Sequence, residues 1–158
     1  MSADAGARRA ARLAAVQALY QMELSGGGAE EVADEFIAHR FEEFSATQPD
    51  ADFFSAIVMG VPVHQVEIDR AIADCLSASW TMARIDSILR AILRAATFEL
   101  IARRDVPAKV VIDEYVAIAG DFFSGDEPGF INGALDTIAR RKRAREFGLP
   151  TPEGELDF

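Results

Sequence analysis

Apolar side chains recur along this chain at spacings of three and four, the repeat of helices that bury one stripe and wet the other. Leu13, Val16, Tyr20 and Leu24 share such a stripe and predict a first helix over about 6–25, stopped by Gly26-Gly27-Gly28. Val32, Phe36, Ile37 and Phe44 mark a second over about 29–44. Thr47-Gln48-Pro49-Asp50 reads as a turn, with Asp50 as the N-cap of a third helix that starts at Ala51 and runs toward 75–79. Phe54, Ile57, Val58 and Val61 are its first buried stripe. A kink is expected at Gly60 and Pro62, because proline lacks a backbone donor and crowds the preceding turn. Trp80 falls in the connection that follows.

Ile85, Ile88, Leu89, Ile92, Leu93 and Ala96 make the most apolar face of the chain and predict a central helix over about 82–102, with Asp86 as a candidate break. Asp105-Val106-Pro107 opens the next helix, with proline in its first turn, and Val111, Tyr115, Ile118 and Phe122 are its stripe. After the loop 124–128, with Asp126 as a candidate cap, a last helix spans about 127–147 and buries Phe130, Ile131, Ala134, Leu135 and Ile138. No alternating strand pattern and no internal repeat is found. The prediction is an all-α domain over residues 1–148, followed by a loose acidic tail over 149–158.

Length and composition fit that picture: 158 residues, half of them hydrophobic, are enough for one core without staples. The single cysteine, Cys75, forms no internal disulfide and reads as a small core residue in a reducing, cytoplasmic setting. No apolar run follows the early arginines, so neither a leader nor a membrane span is expected.

Charge changes the picture more. The net charge is −10, but its distribution is uneven. Arg8, Arg9 and Arg12 face one acid in the first twenty residues, and Arg140, Arg141, Lys142, Arg143 and Arg145 crowd the end of the last helix. Between them, residues 21–138 hold 21 acids and 8 bases. Salt screens charges beyond roughly 8–10 Å, so a local basic patch can hold phosphates on an acidic molecule. Two readings stand side by side: basic ends that are solvated or paired with the acidic body, and a phosphate-binding patch. Arg8 and Arg12 share a helix face and repel each other, which phosphate oxygens would relieve.

Tyr20 and Phe130 read either as core or as rings that stack on unpaired bases beside those cations. Phe130 follows Pro128-Gly129 near a helix N-terminus, whose backbone donors favour an anion. Catalytic patterns are missing. The two histidines, His39 and His64, have no metal-ligand spacing, and Glu42-Glu43 and Asp113-Glu114 read as solvated helix faces. No phosphate loop, CxxC, HExxH or nucleophile elbow occurs, so no enzyme, cofactor or metal is expected.

Four blocks carry a family likeness. Arg8-Arg9-Ala10-Ala11-Arg12 leading into Val16-Gln17-Ala18-Leu19-Tyr20, Leu89-Arg90 through Glu99-Leu100, Asp105-Val106-Pro107 with Ile112-Asp113-Glu114, and Phe130-Ile131-Asn132-Gly133-Ala134-Leu135-Asp136 closely resemble, in order and spacing, the transcription antitermination factor NusB family. That resemblance implies a compact bundle of about seven helices in two halves. It implies binding of boxA RNA from ribosomal RNA leaders as a single strand, together with NusE, a small-subunit ribosomal protein, and then with other Nus factors on RNA polymerase.

By position, the RNA face would use Arg8, Arg9, Arg12, Tyr20, Asp126 and Phe130, and the protein partner would lie on helices within about 65–100. A homodimer that covers the first helix stays open, as does a protein-interaction module that docks a basic ribosomal protein without RNA specificity. NusB-like domains also precede a catalytic domain in an RNA cytosine methyltransferase, but this chain shows no cofactor-binding glycine loop. Pro62 and Phe98 depart from the family pattern, Phe98 standing where tyrosine is common. The matched Asn132-Gly133 is expected to be structural: glycine for close helix approach, asparagine for a buried polar group.

Overall fold

Glu99, a carboxylate in the middle of the most apolar helix, lies at the centre of the fold with no exposure to water. The computed structural model describes residues 2–44, 47–76, 81–82 and 85–151, with side chains from Ala5 onward. Trp80 and residues 152–158 lie outside the described residues. Among the described residues there are seven α-helices and no strand: α1 Ser2–Ser25, α2 Ala29–Glu35, α3 Ala51–Val63, α4 Gln65–Cys75, α5 Ser87–Ala102, α6 Ala108–Phe122 and α7 Glu127–Lys142. Helix α5 is the hub and packs against α1, α3, α4, α6 and α7. Helix α2 closes over α3, where Phe54 meets Phe36 in a stacked pair and Phe41 edge-on at 5.0 Å.

Several boundaries differ from those the periodicity predicts. The second helix leaves α geometry after Glu35, passing into a π-turn over Phe36–Arg40 and a 3₁₀ turn over Phe41–Glu43. That change rotates Ile37 toward water. The third helix is interrupted where the kink is expected: α3 ends at Val63, one residue after Pro62, and α4 resumes at Gln65. Helix α5 starts at Ser87, not near 82, because the Asp86 side chain accepts the Ile88 N–H at 2.7 Å and caps it. Helix α7 ends at Lys142 and a 3₁₀ turn covers Ala144–Phe147. Asp50 caps α3 as predicted, accepting from Phe53 N–H at 3.0 Å. Asp126 holds the N-cap position of α7 but makes no side-chain cap.

The glycine that permits close helix approach is Gly60, not Gly133. A Cβ on Gly60 would sit 2.2 Å from Phe98 Cε1, whereas one on Gly133 would meet nothing within 4 Å. Asn132 is exposed and satisfies no buried group. Cys75 is half-buried at the end of α4 rather than in the core, and Leu24 stands in water past the end of the α1 stripe.

The basic run at the end of α7 is divided, with Arg140, Arg141 and Lys142 in its last turn and Arg143 just beyond it. Arg143 is buried and donates to the carbonyls of Glu99, Leu100, Arg103 and Val106. It thereby satisfies the acceptors that α5 leaves at its C-terminus. Glu146 completes the joint, accepting from Arg143 at 2.6 Å and from the Ala108 N–H at the start of α6 at 2.8 Å.

Candidate nucleic-acid interface

The three arginines of α1 lie on neighbouring turns but have different surroundings. Arg12 is buried. Its Nε and one terminal nitrogen fork onto Glu99 at 2.9 Å each, and its other terminal nitrogen reaches Glu114 at 3.3 Å. The Tyr115 hydroxyl donates to the same Glu99 carboxylate at 2.5 Å, and burial together with that carboxylate pushes the phenol pKa well up. Burial opposes the Arg12 charge, but the Glu99 carboxylate outweighs it and leaves the guanidinium pKa raised. The expectation that Arg12 forks to phosphate is therefore corrected: its donors are committed inside the protein, and the Arg8–Arg12 repulsion is relieved by acids of α5 and α6.

Arg9 faces out. Its side chain is 68 % exposed and pairs with Glu114 at 2.7 Å. That hydrogen bond, foremost, raises its pKa. Arg8 is half-exposed, with its guanidinium 4.6 Å from the ring centre of Phe53, a ring also approached by Arg12 at 4.9 Å and Arg103 at 4.8 Å. Phe53 thus holds a cluster of positive charge at the N-terminal end of α1, fixed further by the Asp50 N–H donating to the Ala7 carbonyl.

Tyr20 is half-exposed on the same stripe of α1 as Arg9 and Leu13, eleven residues and so about 16 Å further along the axis. It lines a cleft with Val16, Gln17, Gln21, Arg40, Ile88 and Phe122. A second cleft, lined by Arg9, Ala10, Leu13, Phe44, Glu114 and Asp121 among others, lies beside the N-terminal half of the same helix. Phe122, assigned by its spacing to the buried stripe of α6, is instead 37 % exposed.

Phe130 is half-buried against the core and lines neither cleft. Asp126 is exposed beside it. The neighbourhood is a poor phosphate site, because Asp126 and Glu127 already bring carboxylates to the α7 N-terminus and Pro128 removes one of its donors. The structure thus brings Arg8 and Arg9 together, sets Tyr20 along the same helix, and turns Arg12 inward. Sequence reading missed Glu99, Glu114 and Tyr115 as the partners of these arginines. The signal was present in Glu99, since a charge within an apolar stripe needs a buried partner.

Fold and surface together define an all-helical factor whose most developed site is ionic and aromatic. Among the described residues no cluster of His, Cys, Asp or Glu could hold a metal ion, and no helix is long and apolar enough to cross a membrane. The chain belongs to the NusB family, whose sequence model matches residues 9–140. It is 51 % identical over 144 residues to the transcription antitermination protein NusB of Maricaulis maris, covering 89 % of this chain and 90 % of that one. It is 52 % identical over 142 residues to the same protein of Caulobacter vibrioides, covering 86 % and 94 %.

Among solved structures, NusB from T. maritima superposes with a TM-score of 0.73 at 29 % identity, over 90 % of this chain and 97 % of that one. A chain of the crystal structure of antitermination factors NusB and NusE in complex with dsRNA gives 0.72 at 26 % identity, over 84 % and 96 %. The expected bundle of about seven helices is the observed one.

Proposed function

We propose that this chain is an RNA-binding antitermination factor of the cytoplasm, without catalysis of its own, that holds boxA RNA as a single strand along α1 and works with the ribosomal protein NusE, other Nus factors and RNA polymerase. The observation that carries the reading is the outward Arg9 beside Arg8, on the helix stripe that also presents Tyr20. An exposed ion pair contributes little in water, so Arg9 can exchange Glu114 for a phosphate oxygen at small cost, while Arg12 keeps Glu114 compensated. Phosphate contacts at Arg8 and Arg9 supply salt-dependent affinity, and base contacts at Tyr20, Phe130 and Asp126 supply sequence preference.

The protein partner is assigned to the helices within about 65–100, at whose edge lies the junction of α3 and α4. Val63 and Val66 stand in water at 79 % and 76 % exposure where α3 gives way to α4, in a cleft that Glu67 and Asp74 share with Arg70, Arg141 and Lys142. An exposed apolar pair among charges of both signs suits a protein partner. The domain is taken as residues 1–148 with 149–158 as its tail.

The test is equilibrium binding of boxA RNA and a scrambled control, each with and without NusE. Preference for boxA that sharpens with NusE is expected. Equal affinity for both RNAs, with NusE still bound, would leave only a protein-docking module.

A further inference from the structure

The cleft at the C-terminal end of α6 has features the charged half of α1 lacks. Its volume is about 380 Å³ and its floor is apolar, formed by Val16 and Ile88. Tyr20 and Phe122 present two part-exposed rings to it. Gln17, Gln21 and Arg40 also line it. The Arg40 head lies 4.6 Å over the Phe36 ring and 3.5 Å from Gln21 Oε1. Arg40 is carried there by the π-turn over Phe36–Arg40, the widened backbone that replaces the end of the second helix.

No carboxylate lines this cleft, although the chain as a whole carries ten excess negative charges. An acid-free, ring-walled cleft on such a surface selects a flat apolar group attached to an anionic backbone. Glutamine amides carry both donors and acceptors, the groups that match the edge of an unpaired base. Arg40 donates to Glu43 at 3.2 Å in an exposed pair that contributes little in water, and a phosphate joined to that base would take the place of that carboxylate.

We propose that this cleft takes one unpaired nucleobase of the bound RNA, stacked against Tyr20 and Phe122, its edge read by Gln17 and Gln21 and its phosphate met by Arg40. The inference rests on the RNA reading above and adds to it a place, a set of residues and a stoichiometry of one base. It also gives Phe122 and Arg40 roles that no charge or motif argument on the sequence supplies.

The experiment is fluorescence anisotropy with boxA RNA and a series of the same oligonucleotide made abasic at one position at a time. Wild-type protein is set against Phe122→Ala and Gln21→Leu. Phe122→Ala is expected to weaken binding of the intact RNA by roughly tenfold, the usual loss for one stacked base. On one abasic oligonucleotide, wild type should lose about as much and Phe122→Ala should lose nothing further.

Gln21→Leu, a change that leaves the packed rings alone, should reduce discrimination among bases at that same position. This variant decides the matter should Phe122→Ala disturb the fold, as circular dichroism would show. The proposal is overturned if the Phe122→Ala loss is the same on every abasic oligonucleotide, if Gln21→Leu leaves base preference unchanged at every position, or if the variants impair only NusE binding. In each case boxA preference by wild type would leave the wider RNA reading standing. Failure of wild type to prefer boxA would sink both.

Discussion

Arg12 of α1 and Glu99 of α5 are joined by two hydrogen bonds of 2.9 Å, with side chains 3 % and 0 % exposed. Neither charge could remain there alone, since an isolated ion loses far more in leaving water than the surrounding apolar side chains return. The first helix is thus fixed to the hub helix at the turn that also presents Arg9.

Arg12→Met should destabilise the protein by about 3–5 kcal/mol, because it strands the Glu99 carboxylate without a charge partner. Arg9→Gln, one residue away but in water, should stay within about 0.5 kcal/mol. Urea unfolding at pH 7 measures both. Equal losses would mean that burial is not what separates the two arginines.

Tyr115→Phe tests the same knot more gently. It removes the hydroxyl that donates to Glu99 at 2.5 Å and leaves the ring in place. A hydrogen bond to a charged group contributes about 1.5–3 kcal/mol, so a loss in that range is expected. A neutral result would show that Arg12 alone satisfies Glu99.

These residues also show where sequence reading stops. The order of six helical segments, the Asp50 cap and the central place of α5 follow from periodicity and capping, which are local, whereas the count of seven comes from the family likeness. Partner choice is not local: Arg12 and Glu99 are 87 positions apart, and Arg143 reaches Leu100 across 43. Arg8, Arg9 and Arg12 look alike in one dimension, and only the packing of α1 on α5 and α6 separates the buried cation from the exposed ones. Gly133 shows the reverse error, since a motif glycine suggested close approach while the contact belongs to Gly60.

Gly60→Ala should destabilise by about 1–3 kcal/mol through overpacking, because the new methyl would lie against the Phe98 ring. Phe98→Leu in the same chain should recover part of that loss, so that the double variant is more stable than the sum of the single losses predicts. Strict additivity would place the strain elsewhere.

Acid should loosen the joint between α5, α6 and the C-terminal turn. Burial pushes the Glu146 carboxyl up, but the Ala108 N–H and the Arg143 guanidinium outweigh it and hold its pKa below the ordinary 4.5. A lowered folded pKa contributes stability that is complete above the unfolded value and fades as pH falls through the folded one. Unfolding midpoints measured from pH 6 down to pH 3 should therefore fall more steeply for wild type than for Glu146→Gln, with the difference appearing below about pH 4.5. Parallel curves would remove Glu146 from the acid response.

Salt dependence separates the arginines by function as stability separates them by burial. On a single strand, log affinity falls with log salt at a slope of about −0.7 per phosphate neutralised. Arg8→Gln and Arg9→Gln should each weaken boxA binding and flatten that slope by about 0.7, one contact apiece. Arg12→Lys keeps the internal charge while losing the fork onto Glu99, so it should cost stability but leave the slope of the folded protein unchanged. Titrations from 50 to 300 mM salt decide the outcome. A slope that responds to Arg12 and ignores Arg8 and Arg9 would mean that α1 rotates on binding to expose the buried arginine, and the surface described for this helix would not be the one the RNA meets.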